Sequence, residues 1–185
     1  TRLPRAIRDV YKRQVEYILK EIFFDDKIDM LEEMPANIVD RILEKSTPSE
    51  RKLINQFLNY PEDSAGSIMT IEYCSVKKTL TVKEAMARLK KVGLQRETIY
   101  TIYVVDDNRK LEGIVSLREL VMADDDAIIA DIMNTDVVYV NVYEDQEIVA
   151  GVIQKYDFVA VPVVDNEERM VGIITVDDVI DIIEQ

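Results

Sequence analysis

The chain has 185 residues, 48% of them hydrophobic, with 36 acidic residues against 23 basic ones for a formal charge of −13. That balance excludes a broad nucleic-acid surface, which needs lysine and arginine to replace phosphate counterions, and points to cations as partners. With no histidine and Cys74 as the single cysteine, an internal disulfide is excluded, a reducing compartment fits, and zinc sites and Ser-His or Cys-His catalysis lose their usual groups.

The first 14 residues, TRLPRAIRDVYKRQ, carry Arg2, Arg5, Arg8, Lys12 and Arg13 against Asp9 alone. Their sign opposes that of the rest, and residues 1–14 read as a non-native, adapter-derived start excluded from fold reasoning. Residues 15–63 follow a helical period: Ile18, Leu19, Ile22 and Phe23, then Ile28, Leu31, Ile38, Ile42 and Leu43, then Leu53, Phe57 and Leu58. Three or more short helices are predicted. Pro35 marks one start, and STPSER supplies Ser46 or Thr47 as a cap, Pro48 for the first turn and Glu50 as capping partner. YPEDSAGSIMT, residues 60–70, reads as a domain boundary.

Beyond it, short β-branched runs alternate with helical patterns, which predicts β/α structure. Thr81 caps a helix with Glu84 three residues on; TIYVVDD is a buried strand, LEGIVS its hairpin partner and LRELVMA a helix. A shift of 59 residues places Val104 on Val163, Asp106 on Asp165, Gly113 on Gly172 and Ser116 on Thr175; upstream, a shift of 64 places Ile68 and Met69 on Ile132 and Met133. GLQRET supplies the five-residue difference. Two copies of one unit are expected at 64–127 and 128–185. Each is too small to be comfortable alone, so they should pack sheet to sheet about a pseudo-two-fold axis. Cys74 lacks an activating neighbour in sequence and reads as buried and inert, and the acidic run Asp124 to Asp126 reads as a solvated turn. No apolar run reaches the length of a membrane span and no signal peptide is recognisable.

The junctions GIVS and GIIT, given twice behind an apolar strand, resemble the cystathionine-β-synthase (CBS) domain pair. ETIYTIYVVD, GIVSLREL, DIMNTDVVYV, YDFVAVPVVD and VGIITVDDVIDIIE, in this order behind an acidic helical segment, resemble the cytosolic region of the MgtE family of magnesium transporters. The resemblance implies an α+β chain: a superhelical, all-α N-domain followed by a tandem CBS pair. It further implies a non-catalytic Mg²⁺ sensor at the cytoplasmic face of the membrane, a homodimer through the CBS domains, and a transmembrane pore domain beyond Gln185. Magnesium would bridge acidic faces and favour the closed state.

Mg²⁺ keeps several waters and needs only one or two carboxylates from each facing surface. Asp25 and Asp29 lie one helical turn apart on one face; spacing alone leaves a solvated face as an equal reading, and the resemblance makes them ligands. Asp145 and Glu147 serve either as first-turn acids of a helix or, by the resemblance, as ligands. Asp157 is a turn residue or a ligand. Asp178 and Asp181, nearly a turn apart, match metal positions of the family, whereas Asp177 suits the helix dipole. For ATP, the resemblance points to Ser116 and Glu119 at a ribose, Arg118 at phosphate and Phe158 as a stacking face, or a core residue otherwise. Glu119 stands where the family has Asp, and Thr101 where some relatives offer an aromatic. An adenine-nucleotide-sensing CBS module attached to another effector is the alternative function. Nothing resembles a phosphate loop, a dinucleotide fingerprint or a catalytic triad.

Overall fold

The computed structural model describes residue 22 and residues 24–183, with side chains to residue 180. The basic start, Ile18, Leu19 and Phe23 lie outside the described residues. Two units meet between Asn59 and Tyr60, at the first residue of the expected boundary.

The first unit contains α1 (Phe24–Glu32), α2 (Ala36–Lys45) and α3 (Pro48–Phe57). Pro35 occupies the N-cap of α2. Ser46 ends α2 by donating its hydroxyl to the Ile42 carbonyl at 2.8 Å. Thr47 then opens α3 with a full capping box: its Oγ1 accepts from the Glu50 N–H at 3.2 Å, and the Glu50 carboxylate accepts from the Thr47 N–H at 2.9 Å, satisfying two donors that a helix start leaves orphaned. Two adjacent residues thus divide the stop and the start between them. Phe24, Ile28, Leu31, Ile54 and Phe57 are buried, and the Phe24 and Phe57 rings meet edge to face at 4.7 Å, so among the described residues of this unit the core is formed by one apolar stripe on α1 and one on α3.

The second unit holds two copies of a β/α pattern. The first runs α4 (Ala65–Ile68), β1 (Ser75–Val76), α5 (Val82–Val92), β2 (Thr101–Val105), β3 (Leu111–Ser116) and α6 (Leu117–Met122); the second runs α7 (Ile129–Ile132), β4 (Val140–Asn141), α8 (Gln146–Tyr156), β5 (Ala160–Val164), β6 (Met170–Thr175) and α9 (Val176–Ile183). Each copy makes a three-stranded sheet, β1-β2-β3 or β4-β5-β6, with a parallel outer pair and an antiparallel hairpin. Val104 pairs with Gly113, and Val163 with Gly172, each followed by a register shift. The repeat expected at 59 residues is therefore structural as well as sequential.

Alternation along β2 explains why the strand is apolar on both faces. Ile102 and Val104 join Val82, Ala85, Leu89 and Leu120 in a core beneath the helices. Tyr103 and Val105 point the other way and pack with Ala160, Met170 and Ile173 of the second copy. The second group is the expected sheet-to-sheet core.

The segments that open the copies are exchanged. Thr70 pairs with Ile173 through two main-chain bonds of 2.9 Å, and Asn134 pairs with Ile114 at 2.8 and 2.9 Å. Ala65 and Gly66 donate to the Glu144 and Val142 carbonyls, while Ile129 and Ala130 donate to those of Leu80 and Lys78. Each of these contacts maps on its partner under the shifts of 59 and 64 residues, which is the signature of a pseudo-two-fold axis. Gly113 and Gly172 make the crossing possible: a Cβ on Gly172 would stand 2.7 Å from the Thr70 carbonyl oxygen, and one on Gly113 2.9 Å from that of Asn134.

Candidate functional site

Asp25 and Asp29 both lie on α1, the first half-buried and the second exposed. Their spacing of one turn puts them on one side of the helix, as the sequence implied.

Asp145 is the N-cap of α8: its carboxylate accepts from the Glu147 N–H at 2.8 Å. Both side chains are exposed at the helix start. The joint before α4 holds this end in place, because the Asp63 carbonyl accepts from the Gln146 N–H at 2.8 Å and the Asp63 carboxylate from the Gln146 side-chain amide at 2.9 Å. Asp157 is the C-cap of the same helix, in the left-handed region at φ 52° and ψ 39°, where Asp is among the residues that tolerate the strain. Beyond it Phe158 stacks on Tyr156 with centroids 5.3 Å apart.

Asp178 lies in the first turn of α9. Its Oδ2 accepts from both the N–H and the hydroxyl of Thr175, each at 2.8 Å. Glu119 does the same at α6, accepting from the N–H and hydroxyl of Ser116 at 2.7 Å each, while Ser116 Oγ accepts from the Glu119 N–H at 3.1 Å. The hydroxyl and acid read as a possible ribose clamp thus form a capping box, and the extra methylene of Glu119 does not prevent it. Arg118 is exposed beside them. Asp177 is an exposed first-turn acid, and the side chain of Asp181 lies outside the described residues.

Among the described residues, no three of His, Cys, Asp and Glu come together in a group that could hold a metal ion. The candidate acids are instead dispersed over helix ends and outward faces in ones and twos. Cys74 is buried, and burial pushes its thiol up despite the nearby Arg96 and Arg88, which fits an inert residue. None of the described helices is long and apolar enough to cross a membrane.

A cleft of about 280 Å³ opens in the second unit, between Gly93 and residues 96–100 on one side and Val159 with Thr175, Val176 and Asp177 on the other. Of this lining the sequence singled out Thr175, which has with Asp178 the hydroxyl-to-acid spacing of Ser116 and Glu119; the other wall, which contains the extra residues of GLQRET, was not read as part of a site. In both copies the strand entry is tied to the following helix, by the Leu117 N–H to the Tyr100 carbonyl at 2.9 Å and the Val176 N–H to the Val159 carbonyl at 2.8 Å.

A helical domain followed by two such β/α copies defines a CBS domain pair behind an N-domain. The family model described as the MgtE intracellular N domain matches residues 5–63, which includes most of the basic start, and that of the CBS domain matches residues 65–126 and 129–185. The chain is 44% identical over 164 residues, 86% of its length, to the magnesium transporter MgtE of Thermus thermophilus, of which it covers 36%. It is similar to the crystal structure of the soluble part of a magnesium transporter (43% identity, TM-score 0.86, 90% of this chain and 65% of that one). It is likewise similar to the cytosolic domain of the Mg²⁺ channel MgtE in complex with ATP (41% identity, TM-score 0.86, 97% of this chain and 76% of that one). The chain belongs to the MgtE family of magnesium transporters, and spans about a third of the length of the curated relative described above.

Proposed function

We propose that this chain is the Mg²⁺-sensing regulatory region of a magnesium transporter or channel. It is non-catalytic, lies at the cytoplasmic face of the membrane, forms a homodimer through its CBS domains and acts on a transmembrane pore domain of the same protein. The observation that carries this reading is the placement of the candidate ligands. Asp25, Asp29, Asp145, Glu147, Asp157 and Asp178 stand on half-buried or exposed positions of short elements, and no cage closes around them among the described residues. Mg²⁺ suits such an arrangement because it holds several waters and takes one or two carboxylates from each surface. Asp181 is proposed as a further ligand from its family match.

The mechanism is electrostatic. With a net charge of −13, facing acidic surfaces repel one another, and each divalent ion between them turns that repulsion into attraction. Occupancy, set by the free Mg²⁺ concentration, shifts the population toward the bridged state, in which the pore is closed. The test is small-angle scattering of the chain, metal-free and then titrated with Mg²⁺, with Na⁺ at matched ionic strength as the control. Saturable compaction specific to Mg²⁺ is expected. Asp25→Asn combined with Asp178→Asn should raise the midpoint about tenfold or more with an unchanged circular dichroism spectrum, since Asn keeps an oxygen able to accept from Thr175. An unchanged midpoint would remove both residues from the mechanism.

A second reading is supported by similarity to a cytosolic MgtE domain in complex with ATP: the CBS pair senses adenine nucleotide through Ser116, Arg118, Glu119 and Phe158. Glu119 would then meet ribose hydroxyls while still capping α6, and Arg118, exposed at the helix start, would meet phosphate.

A further inference from the structure

We propose that a small cavity inside the first copy, between the entry to β1 and the last turns of α5, is a binding site for a single monatomic anion of chloride size. The cavity measures about 30 Å³, which exceeds the roughly 10–15 Å³ that one water requires and falls far below the roughly 300–1,000 Å³ of small-molecule sites. One small ion fits there, and a phosphate ester does not.

The lining is cationic in a chain that is not. Residues 73–75 line the cavity from the strand side and Leu89 and Val92 from α5, and its charged residues are Arg88 and Arg96. Among the described residues no carboxylate lines it, although the chain carries 36 acidic residues against 23 basic ones. The Nε of Arg96 is buried with no hydrogen-bond partner among the described residues, and a buried donor of this kind is costly until an acceptor reaches it. Ser75 brings a hydroxyl and Cys74 a weak S–H, both able to donate to an anion. Burial pushes the Cys74 thiol up, and the Arg96 and Arg88 charges oppose that push, so both guanidinium groups lie within electrostatic reach of the same wall. Two cations without a counter-charge, backed by apolar side chains, are the setting in which one anion gains most.

Main-chain bonds hold the two sides in place: the Glu97 N–H donates to the Glu72 carbonyl at 2.8 Å, and the Tyr103 N–H to that of Cys74 at 2.9 Å. The second copy provides an internal comparison. The shift of 64 residues puts Val152 in the place of Arg88, Tyr139 in that of Ser75 and Val138 in that of Cys74, while Arg96 belongs to GLQRET, which supplies the residues the second copy lacks. The site is therefore a property of the first copy alone. Its whole lining lies in that copy and shares only Arg96 with the cleft that reaches Thr175, and it includes none of Ser116, Arg118, Glu119 and Phe158. Arg88, which does not line the cleft, separates the two in a test.

Chloride NMR line widths of the full chain in sodium chloride, without Mg²⁺ or nucleotide, test the site independently of both readings above. The protein should broaden the chloride line saturably, bromide should compete, and sulfate at matched ionic strength should not. Arg88→Gln and Arg96→Gln should each weaken chloride binding at least about tenfold, the loss of one charged hydrogen bond, whereas Lys91→Ala, which removes an exposed cation from the same helix, should leave it unchanged. Circular dichroism of each variant checks the fold. A crystal soaked in sodium bromide should show anomalous signal in this cavity and none at the equivalent place in the second copy, which decides the question even where a variant fails to fold. The proposal is overturned if the chloride line is not broadened at physiological salt, if folded Arg88→Gln and Arg96→Gln proteins bind chloride as the unsubstituted chain does, if sulfate competes as well as bromide, or if the cavity holds no bromide.

Discussion

Tyr103 is 1% exposed in the core between the two sheets, and its hydroxyl has no hydrogen-bond partner among the described residues. Tyr73 sits edge-on to it at 5.9 Å and sends its own hydroxyl toward the Met170 carbonyl at 3.4 Å, which leaves the Tyr103 oxygen in apolar surroundings. Burial there raises the phenol above its ordinary value, with the neighbouring Tyr73 adding to the shift. A buried hydroxyl with no partner costs about 1–3 kcal/mol, so removing it while keeping the ring should be neutral or stabilising. Tyr103→Phe is expected to raise the urea midpoint by up to about 1 kcal/mol of stability; a loss of stability would show that the hydroxyl is satisfied in solution. The same strand position in the second copy, by the shift of 59, is Pro162, which brings no polar side chain into this core.

At the scale of elements, the helix starts are the most legible part of the chain. Thr47 with Glu50 and Thr81 with Glu84 were readable as capping boxes, and both close, because the two groups that satisfy the orphan donors are only three residues apart. Ser116 with Glu119 and Thr175 with Asp178 have the same spacing and much the same bonds, yet their place in a family motif drew attention to a ligand instead. A short-range pattern cannot distinguish a carboxylate that caps from one that caps and also binds. The glycines were legible only as part of a junction motif, since the backbones that crowd them arrive from residues 70 and 134. This crowding separates them from Gly151, inside α8, where a methyl group would meet nothing within 4 Å. Gly172→Ala should destabilise by about 1–3 kcal/mol, as overpacking against backbone does, whereas Gly151→Ala should stabilise by up to about 1 kcal/mol through helix propensity. Paired thermal melts of the two variants check the contrast, and equal shifts would contradict the close crossing.

For the whole molecule, the repeat and the presence of two cores were legible because both depend on periods within one copy. The exchange of opening segments was not, since it is written in pairings such as Thr70 with Ile173, more than a hundred residues apart. Sequence boundaries at 127 and 128 therefore cut between the copies along the chain but through them in space. A peptide ending at residue 127 lacks Ile129 and Ala130, whose N–H groups bond the Leu80 and Lys78 carbonyls, and Asn134, the partner of Ile114. Residues 60–127 and 128–185 should each show little tertiary structure alone, and mixing them should restore the near-ultraviolet signal; a folded 60–127 peptide would contradict this. A consequence follows for synthesis on the ribosome. The first copy cannot close until residue 134 has emerged, and Thr70 waits for Ile173, so the segment made early is among the last to dock. Long-range pairing of this kind slows folding, and here it makes the two copies mature together, near the end of translation of this region.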